Sequence, residues 1–137
     1  MFKSVEELIA LCESQNKTIH EIMLEQEVEV TGLSEAEVYA HMDKNLQTME
    51  NALDEGLKGV TSTTGLTGGD AVLLQEYIKS GKSLAGPTLL DAVSKAVATN
   101  EVNAAMGKIC ATPTAGSAGV VQGVLFGLKP RLEPSRK

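Results

Sequence analysis

Residues 34–57 read SEAEVYAHMDKNLQTMENALDEGL, and this stretch decides the fold class. Its larger apolar side chains recur at steps of three or four, so they share one helix face: Val38, Met42, Leu46, Met49, Leu53 and Leu57. Ser34 and Glu37 match the S/T-x-x-E capping box that begins many helices. Gly56 and Gly59 provide its end. The stretch predicts a long amphipathic helix over residues 34–57.

Two more helix starts of the same kind precede this stretch. Ser4 with Glu7 and Thr18 with Glu21 repeat the capping box, and an apolar stripe follows each of them. The period-two alternation that marks a half-buried strand is missing from the chain. We therefore expect an all-α protein, a helical domain with Gly/Thr-rich turns.

The second half of the chain predicts shorter helices. Asp70 is a suitable N-cap for a helix from residue 71 to residue 80, which Gly81 ends. Pro87 suits the first position of the next helix, and a further turn over residues 100–106 closes at Gly107. The side chains expected to point inward from the Pro87 helix are Leu89, Leu90, Val93 and Val97.

The last predicted helix combines glycine with large aliphatic residues. Four glycines fall on one helix face, at positions 116, 119, 123 and 127. Each costs a helix about 1 kcal/mol relative to alanine, so another helix or a ligand is expected to approach that face closely. The opposite face is strongly apolar, so we expect it to be buried and residues 120–128 to form a core helix. Little sequence remains to cover it, and we expect an incomplete fold, a fragment or one subunit of something larger.

Length and charge narrow the classes of partner. The 137 residues are expected to form one domain, with an acidic helical region over 1–59 and a turn-rich region with the glycine helix over 60–137. Residues 1–57 hold 3 Lys against 13 Asp and Glu, a net charge of −10, whereas residues 58–137 carry +4. An acidic half repels phosphate backbones, so no nucleic acid is expected as a partner. No apolar run reaches the roughly 18 residues of a membrane span, so no membrane partner and a cytoplasmic location are expected.

Few residues could bind a metal ion. Cys12 and Cys110 cannot complete a metal site alone, and His20 and His41 lack partners at helical spacing. We assign no metal ligand in the chain. The histidines are expected on exposed helix faces, and Cys110 is expected to be a small buried residue.

Two turns rich in glycine and hydroxyl residues are better candidates for chemistry. Residues 61–70 and 112–119 both place hydroxyls and backbone amides just before a predicted helix, where the helix dipole favours a carboxylate. Ordinary capping and tight turns explain the same residues. Asn100 and Asn103 share a helix face and could orient a small polar ligand or cap a turn.

At these residues the chain resembles the α subunit of the iron–sulfur-dependent L-serine dehydratases (L-serine ammonia-lyases). The resemblance runs through essentially the whole chain and is densest in four segments: GVTSTTGLTGGDA at 59–71, SGKS at 80–83, LDAVSKAVATNEVNAAMG at 90–107 and ICATPTAGSAGVV at 109–121. It implies a largely helical catalytic domain that converts L-serine to pyruvate and ammonia. It also implies a [4Fe–4S] cluster, held by three cysteines, whose open iron acts as a Lewis acid on the serine hydroxyl.

The resemblance implies which residues of this chain contact the substrate. They are Gly68, Gly69, Thr112, Thr114, Gly116 and Ser117, with Asn100 and Asn103 as orienting groups. The cluster cysteines belong to motifs that do not occur here, so the cluster ligands are expected outside this chain. Residues 1–137 are then the N-terminal portion of the α subunit, inactive alone. The rest of the α chain, a β subunit or β domain and an oligomer are the implied partners.

One position departs from the family pattern. Gln122 stands where the family usually has proline. Proline would fix φ early in the last helix, and glutamine removes that constraint. Two other functions remain open. One is a non-catalytic helical module that pairs with a partner through the face of Gly116 to Gly127, and the other is a small carboxylate- or phosphate-binding protein.

Overall fold

The architecture is all-helical, as the sequence predicts. A computed structural model describes residues 2–135, and these form six α-helices and no strand. The helices are α1 (Val5–Gln15), α2 (Ile19–Thr31), α3 (Glu35–Lys58), α4 (Asp70–Lys79), α5 (Pro87–Ala104) and α6 (Ala118–Leu132). None of the helices over these residues has both the length and the apolar character that crossing a membrane requires.

The chain divides into two compact units, residues 1–44 and residues 45–137. In the first unit α1 packs against α2, and the buried apolar side chains are Ile22 and Val38. Met42 belongs to the predicted apolar stripe of α3 but is 59% exposed. His20 and His41 are exposed, as expected.

The predicted capping boxes form at α2 and α3. The Glu37 carboxylate accepts from the Ser34 amide at 2.8 Å, and the Ser34 hydroxyl accepts from the Glu37 amide at 3.4 Å. At α2 the Thr18 amide and hydroxyl both donate to Glu21, at 2.8 and 2.6 Å. Hydrogen bonds from Thr18 lower the pKa of Glu21, and those from Ser34 lower the pKa of Glu37. At α1 the Ser4 hydroxyl caps the Glu7 amide.

The second unit is built around α5, which packs against both α4 and α6. Its core brings together side chains from four helices: Met49, Leu53, Ala71, Ala98 and Phe126. Cys110 packs at the edge of this core and is partly buried rather than fully buried.

The prediction of which α5 side chains point inward is confirmed for Val97, which packs against the core, and is wrong for Leu89 and Val93. Leu89 and Val93 are exposed, and the buried α5 residues are Ser94, Ala98, Thr99, Glu101 and Val102. The cause is the close approach of neighbouring backbones. A methyl group placed on Gly56 of α3 would clash with the Ala98 carbonyl oxygen, so a small α5 residue is required where α3 approaches.

The glycine face of α6 lies directly on α5. A methyl group on Gly123 would stand 2.6 Å from the Ala92 carbonyl oxygen, and one on Gly127 would stand 2.7 Å from Ala92 Cβ. The expected close approach of a second helix is therefore confirmed for Gly119, Gly123 and Gly127, whereas Gly116 precedes α6 and has nothing within 4 Å of an added methyl group. Because α5 covers this face, the prediction that it binds a separate partner is wrong.

The prediction that the apolar face of α6 is buried is also wrong for residues 2–135. The aliphatic side chains of α6 are between 36% and 67% exposed: Val120, Val121, Val124, Leu125, Leu128 and Leu132. Only the small residues of α6, together with Gln122 and Phe126, are buried. Helix α6 therefore packs inward through its small residues, Gln122 and Phe126, while its valines and leucines face outward.

Candidate functional site

The first candidate turn, residues 59–70, is a tight loop before α4. The Ser62 amide donates to the Thr67 carbonyl oxygen at 2.8 Å, which closes the loop on itself. Gly68 has φ of +136°, and a methyl group there would clash with the Val60 carbonyl oxygen. Only glycine fits such a position. Gly68 and Gly69 thus let the chain turn sharply into α4.

The N-terminus of α4 is capped from another helix. Asp70 is the first residue of α4 and Gly69 is its N-cap, so the prediction that Asp70 caps this helix is wrong. The Glu101 carboxylate of α5 accepts from the Asp70 amide at 2.7 Å and from the Ala71 amide at 3.4 Å. Glu101 is only 3% exposed. The anion position that the helix dipole creates at α4 is therefore already filled by the protein.

The second candidate turn, residues 110–117, is held by two hydroxyl residues. The Thr114 hydroxyl accepts from the Ser117 amide and the Ser117 hydroxyl accepts from the Thr114 amide, both at 3.2 Å. The Ser117 hydroxyl also donates to the Thr112 carbonyl oxygen at 2.9 Å. Thr114 and Ser117 thereby fix the shape of the turn before α6. Gly116 is exposed, and nothing lies within 4 Å of a methyl group placed on it.

Thr112 is the exception in this turn. Across residues 2–135, its Oγ1 is the buried side-chain oxygen or nitrogen for which no hydrogen-bond partner exists. Such a group costs about 1–3 kcal/mol when it is left unsatisfied. An unsatisfied hydroxyl at a predicted substrate contact is the feature expected of a group whose partner arrives with a ligand.

Gln122 ties this turn to two helices. Its side chain is fully buried in α6. The amide nitrogen donates to the Cys110 carbonyl oxygen at 3.3 Å, and Oε1 accepts from the Thr99 hydroxyl of α5 at 3.0 Å. Where the family pattern has proline, this chain thus has a side chain whose two polar ends are both bonded.

One stretch of α5 brings the two turns to the same part of the unit. Glu101 contacts the first turn of α4, and its neighbour Asn100 lies against the first turn of α6. A methyl group on Gly119 would stand 3.0 Å from Asn100 Nδ2. Asn100 and Asn103 are both exposed. The first turns of α4 and α6 therefore contact adjacent residues of α5, Glu101 and Asn100.

The predicted contacts thus gather around one end of α5, and their role with substrate stays a prediction. Sequence reasoning missed Glu101 and treated Gln122 only as a departure. A signal for Glu101 was available, because it is the single acidic residue between positions 92 and 132. An isolated charge among apolar and small residues is expected to be buried with a specific partner.

A separate groove of about 370 Å³ lies among α3, α5 and α6 and contains none of the predicted contacts. Its cations already have partners. Lys95 donates to Asp91 at 2.5 Å and to the Phe126 carbonyl oxygen at 2.8 Å, and Lys129 pairs with Glu50 at 3.1 Å. This groove offers no unsatisfied cation to an anionic ligand.

The described residues do not fit a metal ion or an iron–sulfur cluster. Within residues 2–135 no three His, Cys, Asp or Glu side chains are close enough together to hold a metal. Cys110 is partly buried against the core, and Cys12 belongs to the other unit.

Comparison with known proteins agrees with the resemblance. A model of the serine dehydratase alpha chain family matches residues 14–137. A probable L-serine dehydratase alpha chain of Bacillus subtilis is 61% identical over 137 residues, which are 100% of this chain and 46% of that protein. The L-serine dehydratase alpha chain of Peptoniphilus asaccharolyticus is 34% identical over 91% of this chain and 43% of its own length.

A relative whose name carries no chain designation also matches. L-serine dehydratase 1 of Escherichia coli is 31% identical over 90% of this chain and 28% of its own length. The chain thus spans less than half the length of these curated relatives. No solved structure is significantly similar to it. Since the family match covers nearly all residues and a 61% identical relative aligns over the whole chain, the protein belongs to the serine dehydratase alpha chain family.

Proposed function

We propose that this chain is the N-terminal portion of the α subunit of an L-serine dehydratase and contributes one wall of its serine pocket. The relatives' names support the substrate and the reaction, and the alpha-chain designation supports a companion β subunit. The enzyme is proposed to be cytoplasmic and oligomeric and to convert L-serine to pyruvate and ammonia.

The observation that carries this proposal is the unsatisfied hydroxyl of Thr112. It is buried in a turn that α6 and α5 hold in place, beside the start of α6. A serine zwitterion offers a hydroxyl, a carboxylate and an ammonium group, and each can pair with a threonine hydroxyl. Binding of serine would therefore give the Thr112 hydroxyl a hydrogen-bond partner and would orient the substrate at the same time.

The carboxylate of serine is proposed to bind at the second turn rather than the first. Glu101 already accepts from the Asp70 and Ala71 amides at α4, so a second anion there would meet a like charge. The start of α6 carries no acidic residue in its first turn. This arrangement also argues against a free anion site at α4, the feature on which a small anion-binding protein would depend.

The reaction removes the α-proton of serine and expels its hydroxyl as water, giving an aminoacrylate that tautomerises and hydrolyses to pyruvate and ammonia. The residues of this chain are proposed to bind and orient serine, which lowers the entropic part of the barrier. The [4Fe–4S] cluster that the resemblance implies is proposed to be held by the rest of the enzyme, since residues 2–135 offer no ligand set.

A chimeric enzyme tests the proposal. Residues 1–137 replace the matching region of the Bacillus subtilis alpha chain, and the product is expressed with a β subunit under anaerobic conditions. Pyruvate formation from L-serine is expected. Thr112→Val should raise KM or lower kcat by about tenfold or more, because one substrate hydrogen bond is lost, and Thr112→Ser should recover most of the activity.

The matched control is Thr63→Val, at an exposed threonine of the first turn, and it should leave kcat/KM unchanged. Equal activity in the Thr112→Val and parent chimeras would show that the hydroxyl does not serve the substrate. A folded chimera with its cluster that makes no pyruvate from serine would overturn the proposed activity itself.

A further inference from the structure

Helix α6 has two faces of opposite character, a glycine face on α5 and an exposed aliphatic face. Gly119, Gly123 and Gly127 lie on α5. The outward side exposes six aliphatic side chains: Val120, Val121, Val124, Leu125, Leu128 and Leu132. Four turns of helix thus expose a continuous apolar strip.

This strip is too apolar to be an ordinary solvent face. A solvent-facing helix surface normally carries charged and polar residues, but none lies on this face between Val120 and Leu128, and Arg131 joins it only near the end of the helix. Contiguous apolar patches of this kind mark surfaces that another polypeptide covers. Because α5 already occupies the glycine face, the covering polypeptide must approach from the outward side.

The relatives indicate which polypeptide this is. The Bacillus subtilis relative aligns with the whole chain, α6 included, yet the chain spans 46% of it, so more than half of that protein lies outside the matched region. We propose that this further part of the α chain packs against the outward face of α6 and covers the strip with apolar side chains of its own.

A tethered segment is favoured over a second copy of the chain. Covalent connection gives a neighbouring segment an effective concentration in the millimolar range, above that of a separate molecule at cellular levels. The proposal rests on family membership and on the geometry of α6, and it does not require the enzyme to be active.

Cysteine labelling tests the proposal without an activity assay. Val124→Cys and, separately, Leu128→Cys are made in residues 1–137 alone and in the chimera that continues with the Bacillus subtilis alpha chain. The labelling rate with a maleimide is expected to fall at least about tenfold in the chimera, because the site opens only by local unfolding. Signal from Cys12 and Cys110 is subtracted with the parent proteins.

Leu84→Cys is the matched control, since Leu84 is fully exposed in the loop before α5, and its rate should be alike in both proteins. Circular dichroism checks that each variant is folded. If Val124→Cys does not fold, the Leu128→Cys variant alone provides the measurement. Equal labelling of α6 in the two proteins would overturn the proposal. Concentration-dependent protection in residues 1–137 alone would also overturn it, by showing that a second copy covers the strip. Slower labelling of α6 in a chimera that makes no pyruvate would support the proposed packing of α6 and would contradict only the proposed activity.

Discussion

Thr112 and Thr99 show how one residue type can have opposite roles in the same unit. The Thr99 hydroxyl is buried and bonded twice, to the Lys95 carbonyl oxygen at 3.1 Å and to Gln122 Oε1 at 3.0 Å. The Thr112 hydroxyl is buried and has no partner. The first stabilises the fold, whereas the second weakens it in the absence of a ligand.

Replacing each threonine by valine separates these roles. Thr112→Val should raise the free energy of unfolding of residues 1–137 by about 1 kcal/mol, because an unsatisfied buried hydroxyl is removed. Thr99→Val should lower it by about 1–3 kcal/mol, because Gln122 Oε1 loses its donor. Urea denaturation followed by circular dichroism measures both. A destabilising Thr112→Val would show that the hydroxyl has a partner in solution.

Glu101 is the residue on which the start of α4 depends. Glu101→Ala removes both acceptors from the Asp70 and Ala71 amides and should cost about 2 kcal/mol of stability, with faster hydrogen exchange at those two amides. Glu101→Gln keeps one carbonyl oxygen as acceptor and should cost less. Glu76→Gln, at an exposed position of α4, is the control. Unchanged exchange at residues 70–71 in Glu101→Ala would contradict the capping role.

These residues also mark where sequence reasoning stops. The hydroxyl and glycine residues of both turns are visible as patterns, because turns and caps are set by neighbours in the chain. Glu101 and Gln122 act on residues 30 and 12 positions away. Such contacts follow from helix packing, and no local pattern contains them.

Helix α6 illustrates the same limit for an element. Its glycine spacing correctly predicts a close neighbour, but the rule that the apolar face goes inside assigns the wrong side. The α5–α6 contact is made by backbone and methyl groups at Ala92 and Ala96. Close packing of small residues here replaces the burial of large ones. Similarly, the leucines and valines of α5 mark its inward face only in part, since Val97 and Val102 face inward and Leu89 and Val93 do not.

Adding one methyl group to this contact should disrupt it. Gly123→Ala places Cβ 2.6 Å from the Ala92 carbonyl oxygen, and the backbone shift needed should cost about 1–3 kcal/mol in spite of the better helix propensity of alanine. Gly116→Ala is the matched control, because that glycine has open space around it, and it should be neutral. Thermal unfolding measures the difference. Equal stability of the two variants would mean that α5 and α6 pack less closely.

For the chain as a whole, the all-α class and the starts of α1, α2 and α3 follow from capping boxes and periodicity and are confirmed, whereas α4 begins one residue earlier than predicted and α6 extends beyond residues 120–128. The division into two units at residue 44 falls inside α3, where the sequence shows an uninterrupted amphipathic helix. The contact of both α4 and α6 with one end of α5 is likewise a property of the packed second unit.

The first unit should respond to acid through its capping boxes. Glu21 and Glu37 have pKa values lowered by hydrogen bonds from Thr18 and Ser34, so the unfolded chain binds more protons than the folded one. Their stabilisation is complete above the pKa of an unfolded glutamate, about 4.3, and is lost as the pH falls through the lower folded values. Helix content should therefore decrease over that acidic range.

The double variant Glu21→Gln and Glu37→Gln should flatten this part of the acid titration, since glutamine keeps the capping geometry and does not titrate. Circular dichroism between pH 2 and 6 provides the measurement. A control pair at exposed positions outside the boxes, Glu27→Gln and Glu29→Gln, should leave the transition in place. A double box variant with the parent's acid transition would contradict the assignment.

The contact between α5 and α6 has a consequence for how the protein can vary. Because Gly119, Gly123 and Gly127 of α6 lie directly against α5, the spacing of the two helices cannot be adjusted there by exchanging one aliphatic residue for another. Homologues are expected either to keep small residues at this contact or to replace the residues of both helices together. Differences in what the turns recognise are then expected to arise in the loops themselves, which lie next to the closely packed α5 and α6.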